Sequence, residues 1–528
     1  MAEKQITKYL PQVLGSEIMI REMVYRRARV LYDAEMLDKV GERIEKELEY
    51  IKNVNMTSIF VIIKELLDRS ELSAFDISIS GDAAILMISY LMGISNYNPI
   101  DIAPLCILEN SKNLTIRLKV PSSMYNNVLE QMKTIESIGK IVRIMNFKGG
   151  LLLIPKGYRV EEYLKIQKDD KGEYVDSSEY LAHPDIFYKI DIIANDDLQL
   201  LNNLKNITGI SIGNIDVNDI DIIRLFNSSE TLGYNFQTIS NGLLGVRDFM
   251  ELCKLNMTEN VRIMDFDGVS RLKGLILGGN TYYGNAKELI KQNITDIYGV
   301  ISTKEDFFDY LIKFGVPQNQ VLNICKSIEL GKGLDVEDEK ILVSYGVPEY
   351  YIESCKKIKY LHSKSLIISD TLLGIILLYF KMYRSEAFYK EYINVYGSDQ
   401  LKEILSSKCY GKFLIYKAEI ENKYMVNKDF YDEYYNNLVI EEMFKRNYVI
   451  VKYERHEEDG SEIVSYYTLE EFIVYREILS RDKVFVMYDQ LCVYLRILES
   501  KLNILCNQEF ENIISKISKI REAIWCVK

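Results

Sequence analysis

Apolar residues change their spacing twice along this chain, and that change limits the folds open to it. In Val40-Gly-Glu-Arg-Ile-Glu-Lys-Glu-Leu-Glu-Tyr-Ile51 they fall at 40, 44, 48 and 51, one face of a helical period. Leu114-Thr-Ile-Arg-Leu-Lys-Val120 instead alternates with period 2, as a half-buried strand does. Leu151-Leu-Leu-Ile-Pro155 and Tyr188-Lys-Ile-Asp-Ile-Ile193 add two more strands, and helical spacing returns from 196 to about 400. A β-rich block between helical blocks predicts an α+β protein. Four segments follow: 1–57, helical; 58–195, carrying the sheet; 196–400, mostly helical; and 401–528, a small α+β region. The chain has 528 residues, and the usual size prior gives about three or four units.

Helices are expected over 16–52, in two pieces, and over Thr57 to Arg69. In the last segment a helix at about 431–446 precedes a hairpin. Its arms, Tyr448 to Tyr453 and Ile463 to Tyr467, flank Glu458-Asp459-Gly460, and Thr468-Leu-Glu-Glu471 reads as a capping box opening another helix. That order suggests a winged-helix-like module.

The net charge of −12 argues against a protein devoted wholly to gripping nucleic acid, yet leaves room for a local basic channel. Eight Cys without a C-x-x-C and three distant His (His183, His362, His456) suggest neither disulfides nor zinc, and fit a reducing cytoplasm. Met1 to Lys8 is polar, unlike a signal peptide. Leu366 to Phe380 is apolar but contains Ser369 and Asp370 and falls short of a span of about 20 residues, so it is expected to be a buried helix and no membrane is called for.

Several strings resemble PolC-type bacterial DNA polymerase III, the α-subunit class of replicative polymerases. Val347-Pro-Glu-Tyr-Tyr-Ile-Glu-Ser-Cys-Lys-Lys-Ile-Lys-Tyr360 is close to that family's fingers sequence. Arg21-Glu-Met-Val-Tyr25 and Arg43-Ile-Glu-Lys-Glu-Leu48 resemble its helices entering the palm. Phe226-Asn-Ser-Ser-Glu-Thr-Leu-Gly233, Gly284-Asn-Ala-Lys-Glu-Leu-Ile290 and Gly331-Lys-Gly-Leu334 are similar to F-S-S-T-E-x-L-G, G-N-A-Q-E-L-I and K-G-K-G-L. The matches run in family order over about 20–400. The resemblance implies a nucleotidyltransferase-type mixed-sheet palm at 58–195, helical fingers at 196–400, and a thumb-like or palm-entry segment before them. The family's exonuclease and PHP regions find no counterpart in these residues.

The resemblance also shows where this chain departs from the family. Two-metal phosphoryl transfer needs clustered carboxylates. The family's D-x-D strand aligns with Lys112-Asn-Leu-Thr-Ile-Arg-Leu118, putting Asn113 and Thr115 at the carboxylate positions and Arg117 two residues on, on the same face. The third carboxylate is kept, as Asp191 of Lys189-Ile-Asp-Ile192. The nucleotide loop G-S-R-G-S becomes Ser78-Ile-Ser-Gly-Asp82: Gly81 stays, Ser80 replaces the Arg, and Asp82 adds negative charge. G-Q-H-P-G-G becomes Met145-Asn-Phe-Lys-Gly-Gly150, and P-K-A-H-A-A-A-Y becomes Ser363-Lys-Ser-Leu-Ile-Ile-Ser-Asp370, so Lys364 remains while Leu366 and Asp370 replace His and Tyr. Only Cys106 is left of the family's zinc cluster, so zinc is not expected.

Lys332, Lys356, Lys357, Lys359 and Lys364 stand at fingers positions where the family meets template or nucleotide, and read equally as nucleic-acid contacts or a solvated helix face. Asp265-Phe-Asp267 mimics a metal pair but is expected to cap a helix; Asp216, Asp219 and Asp221 are read as first-turn acids. Gly274 to Gly284 is read as a structural turn and Trp525 as a packing residue. The function this supports is a catalytically degenerate PolC homologue, a binding or regulatory platform for replication proteins, DNA or both, with no cofactor. One alternative is an active polymerase joining Asp191 to Asp76, Asp82, Asp101 or Asp185 around Mg²⁺. The other is a phage or mobile-element replicase mimic that captures host replication proteins.

Overall fold

The computed structural model describes residues 7–101, 114–233, 239–255, 261–329, 331–406, 410–446, 450–456 and 462–468. Three helices lead in. Ser16–Leu31 buries Ile20, Val24 and Ala28, and Ala34–Asn53 buries Val40, Ile44, Leu48 and Ile51. Asp33 caps the second helix, accepting from Met36 N. Thr57–Arg69 is apolar on most sides and buried along most of its length. Glu47, fully buried, is matched by Arg43 at 2.9 Å and by the Ile88 N–H at 2.9 Å.

Seven strands form one mixed sheet in the order β1-β2-β7-β4-β3-β6-β5. They are β1 (Ser78–Ser80), β2 (Arg117–Pro121), β3 (Ile138–Ile144), β4 (Gly150–Pro155), β5 (Ile166–Asp169), β6 (Gly172–Val175) and β7 (Tyr188–Asn195). The β2–β7 and β3–β6 pairs are parallel and the others antiparallel. The expected strand 114–120 begins at Arg117, though the Asp191 N–H to Ile116 O bond starts its ladder one residue earlier.

Strand alternation divides the sheet into two unlike faces. Leu118 and Val120, Leu151 and Leu153, and Tyr188, Ile190 and Ile192 join the helices in one core. On the other face, Val142, Ile144, Leu152 and Ile154 build a second core with Val160, Leu164 and Phe187. That apolar cover stops at β4. Beyond it, β1, β2 and β7 carry Ser78, Ser80, Arg117, Lys119, Lys189 and Asp191 on the same face, and the candidate site lies there.

The helical remainder includes Phe266–Leu277, Lys304–Lys313, Gln318–Glu329, Val336–Ser344 and Glu349–Lys357, the last four around a core with Phe307, Leu311, Ile324 and Tyr351. Among the described residues one helix, Lys364–Tyr383, is long and apolar enough to cross a membrane, and 72% of its apolar window is buried inside the protein, as in a core helix.

The chain folds as two compact units: 1–202, 211–227 and 251–376 form one, and 203–210, 228–250 and 377–528 the other. The second unit contains helices Ser385–Tyr396, Tyr410–Val426 and Tyr431–Lys445 and the antiparallel hairpin β8 (Ile450–His456) and β9 (Glu462–Thr468). Within it, Lys381 and Glu442 form a fully buried ion pair at 2.7 Å, with the Lys381 ammonium also donating to the Gly242 and Leu244 carbonyls. The capping box beyond Thr468, and Trp525, lie outside the described residues.

Candidate functional site

One row of residues crosses four strands: Ser80 is the register partner of Arg117, Arg117 of Asp191, and Asp191 of Gly150. The period-2 rule puts these positions on one face, and Gly149 in the turn before β4 with Gly150 at its start lets that strand begin there. Gly149 has φ +70°, and a Cβ on it would sit 2.1 Å from Ile192 O. A Cβ on Gly150 would stand 3.6 Å from Asp191 Oδ1.

Asp191, mostly buried, is held between two cations. Lys189 Nζ lies 2.5 Å from Oδ1 and Arg117 Nε 3.6 Å from Oδ2. Lys189 also sits 5.4 Å over the Phe147 ring. Thr115 is exposed, and its hydroxyl and N–H both donate to Asp82 Oδ2, at 2.9 and 3.2 Å. Gly81, φ +96°, makes this possible, since a Cβ there would meet Thr115 O at 2.5 Å. Asn113, Cys106 and the side chain of Asp101 lie outside the described residues.

The nucleotide-loop remnant is tied to a helix distant in sequence. Ser78 Oγ is 2.7 Å from Ser369 Oγ, and Lys119 Nζ is 2.5 Å from Asp370 Oδ1. Burial works against the charged Asp370 carboxylate, but Lys273 and Lys119 outweigh it and hold its pKa below the usual range. Among the described residues the buried Ser80 hydroxyl has no hydrogen-bond partner. Sequence reasoning missed Lys119 as a member of this site. Its only signal was the alternation that places it beside Arg117.

The other candidate residues go elsewhere. Lys364 is inside, paired with Asp306 at 2.9 Å and Asp267 at 3.1 Å. Burial opposes its charge, and Asp306 and Asp267 more than compensate, raising its pKa. These groups, with Arg271, Tyr97, Phe266 and Tyr298, line a cavity of about 340 Å³. Asp265 caps Phe266–Leu277 by accepting from Gly268 N, and Asp219 caps Ile220–Arg224. Lys356 pairs with Glu339 and Glu353, both at 2.8 Å, while Lys332, Lys357 and Lys359 are exposed. A Cβ on Gly331 would meet Lys359 O at 3.2 Å, so the Gly331-Lys332-Gly333 loop brings Lys332 beside the 356–359 lysines. Among the described residues no three His, Cys, Asp or Glu are grouped to hold a metal ion.

A mixed seven-stranded sheet with a charged patch on one face, joined to a large helical region, is a polymerase-like α+β architecture. Residues 18–164 match the family described as the bacterial DNA polymerase III alpha NTPase domain. Over part of its length the chain is a PolC-like relative of the DNA polymerase III alpha subunit. It is 24% identical to the PolC-type DNA polymerase III of Bacillus subtilis over 487 residues, taking in 74% of this chain and 34% of that protein. It is 30% identical to that of Caldanaerobacter subterraneus over 283 residues, 52% of this chain and 20% of that protein. The Listeria innocua protein of the same description is 31% identical over 258 residues, 48% of this chain and 18% of its own. The chain thus spans about a third of the Bacillus relative's length and less of the other two.

Proposed function

We propose that this PolC-related chain does not join nucleotides and serves as a binding platform linked to DNA replication, with β1, β2 and β7 as a palm-derived surface and the helices after 196 as a fingers-derived one. The observation that carries this is the pairing of Asp191 with Lys189 and Arg117. Two hard divalent ions a few ångströms apart repel strongly unless several carboxylates neutralise them. Here one carboxylate faces an ammonium and a guanidinium, so the residues do not fit a pair of Mg²⁺ ions. Two of the other acids of the active reading have other occupations: Asp76 accepts from the Ser73 N–H at 2.9 Å, and Asp82 is held by Thr115.

Exposed Lys332, Lys357 and Lys359, gathered by the Gly331–Gly333 loop, support a nucleic-acid or replication-protein contact on the helical side. Primer extension with Mg²⁺ and with Mn²⁺, on material free of host polymerase, tests the proposal. No incorporation above background is expected, and templated incorporation overturns it.

A further inference from the structure

The first two helices, Ser16–Leu31 and Ala34–Asn53, run antiparallel side by side, and their inner sides join the core beneath the sheet, away from Arg117 and Asp191. On the outside they are tied by Arg21 to Glu45 at 2.8 Å and by Lys52 to Glu17 at 2.9 Å. Both ion pairs sit at one end of the helix pair. At the other end the charges stay open. Arg26, Arg27 and Arg29 of the first helix are exposed and make no ion pair among the described residues, and Glu22 is the one unpaired acid on that helix. Glu35, Asp38 and Glu42 of the second helix are likewise exposed and unpaired, with Lys39 between them.

Apolar side chains share this surface. Ile18 is 65% and Val30 80% exposed, and Met19 and Leu31 are also open to solvent, on a helix whose buried side is Ile20, Val24 and Ala28. A single exposed apolar residue is ordinary, but four on one helix, interleaved with unpaired arginines, mark a contact surface.

The charges say which partner fits. At the open end the first helix carries three cations and one acid, and the second three acids and one cation. Each row therefore complements the other and not itself. The pairs Arg21–Glu45 and Glu17–Lys52 set the register that brings 26–29 level with the first half of the second helix. A two-fold axis along the helix pair, midway between its members, keeps that level while laying the first helix of one copy over the second helix of another. The arginines then meet the acids twice, once on each side of the axis. Helices of 16 and 20 residues are about 24 and 30 Å long, and two abreast about 20 Å wide. Such a face offers about 500–600 Å² per copy, the low end for a specific contact, which suits a micromolar dimer.

We infer that this two-helix face pairs with a second copy of the chain about that two-fold axis, the first helix of each copy lying over the second helix of the other.

Sedimentation velocity on the full chain, from about 1 to about 100 µM, tests this, and a monomer–dimer equilibrium is expected. Arg26→Glu with Arg29→Glu, and separately Asp38→Lys with Glu42→Lys, are each expected to weaken it about tenfold or more, and Val30→Ser several-fold. An equimolar mixture of the two charge-reversed chains is expected to regain the dimer, since both contacts then join opposite signs. Thermal unfolding shows that each variant keeps its fold; if a charge-reversed chain does not, Val30→Ser decides. A chain that stays monomeric to about 100 µM leaves this face to another partner and overturns the pairing. So does a dimer indifferent to the substitutions, or a pair of folded charge-reversed chains that fails to recombine. Primer extension reads the sheet face alone, so its outcome and that of this test are independent.

Discussion

Arg117 and Asp191 are register partners in the parallel ladder of β2 and β7, so guanidinium and carboxylate meet across neighbouring strands with 3.6 Å between Nε and Oδ2. Lys189, two residues before Asp191 on its own strand, completes the clasp. The two halves of this arrangement differ in exposure, and so in energetic weight. Asp191→Asn leaves Lys189 without its carboxylate in a mostly buried setting and is expected to lower stability by about 1–2 kcal/mol. Arg117→Gln, at a half-exposed site, is expected to change it by less than about 0.5 kcal/mol. Urea midpoints of the two variants check the order.

Glu305 gives stability a pH dependence. Burial pushes its carboxyl up to about 7 from an ordinary 4.5, even though one oxygen accepts the Lys364 N–H at 2.6 Å. A raised folded-state pKa means that the folded chain holds its proton more tightly than the unfolded one. The group's contribution is therefore intact below about pH 4.5 and is lost as pH rises to about 7. Glu305→Gln keeps an acceptor and removes the titration. The variant is expected to gain on the wild type across that window, by an amount on the order of 3 kcal/mol at neutral pH. Parallel denaturation curves at pH 5 and pH 8 measure this; an unchanged difference contradicts it.

Two glycines with positive φ separate crowding from backbone strain. Gly149→Ala places a methyl 2.1 Å from Ile192 O beside the site, whereas Gly157→Ala, φ +92°, meets nothing within 4 Å. The first is expected to cost more than about 2 kcal/mol and the second about 1 kcal/mol. Comparison of the two melting transitions decides it.

In the second unit, Lys381 and Glu442 are both fully buried. Glu442→Ala leaves an ammonium inside the protein and is expected to cost about 3–5 kcal/mol, while the double variant Lys381→Met with Glu442→Leu costs much less. Urea midpoints of the single and the double variant read the difference.

Local pattern makes much of this architecture legible. Periodicity locates the three leading helices, β4, β7 and the buried Lys364–Tyr383 helix, and alternation alone puts Arg117 on the face of Asp191. Four strands escape it for identifiable reasons. β1 is three residues long, the register of β3 shifts between Ile138 and Lys140, and β5 and β6 are polar strands with little buried surface to impose a period. The Lys119–Asp370 pair joins residues 251 apart, and no local signal encodes such a contact. Position in sequence groups Lys364 with surface lysines, yet the acids that draw it inward, Asp267 and Asp306, come from two other helices.

The ladder position of Arg117 also bears on how this lineage can change. An acid introduced at position 115 would stand two residues before that guanidinium, where β2 begins, and the pair would offset each other's charge before any cation arrived. Under the proposed reading, assembling a two-metal centre here would need several substitutions at once, each without benefit alone, so the arrangement would work as an evolutionary ratchet.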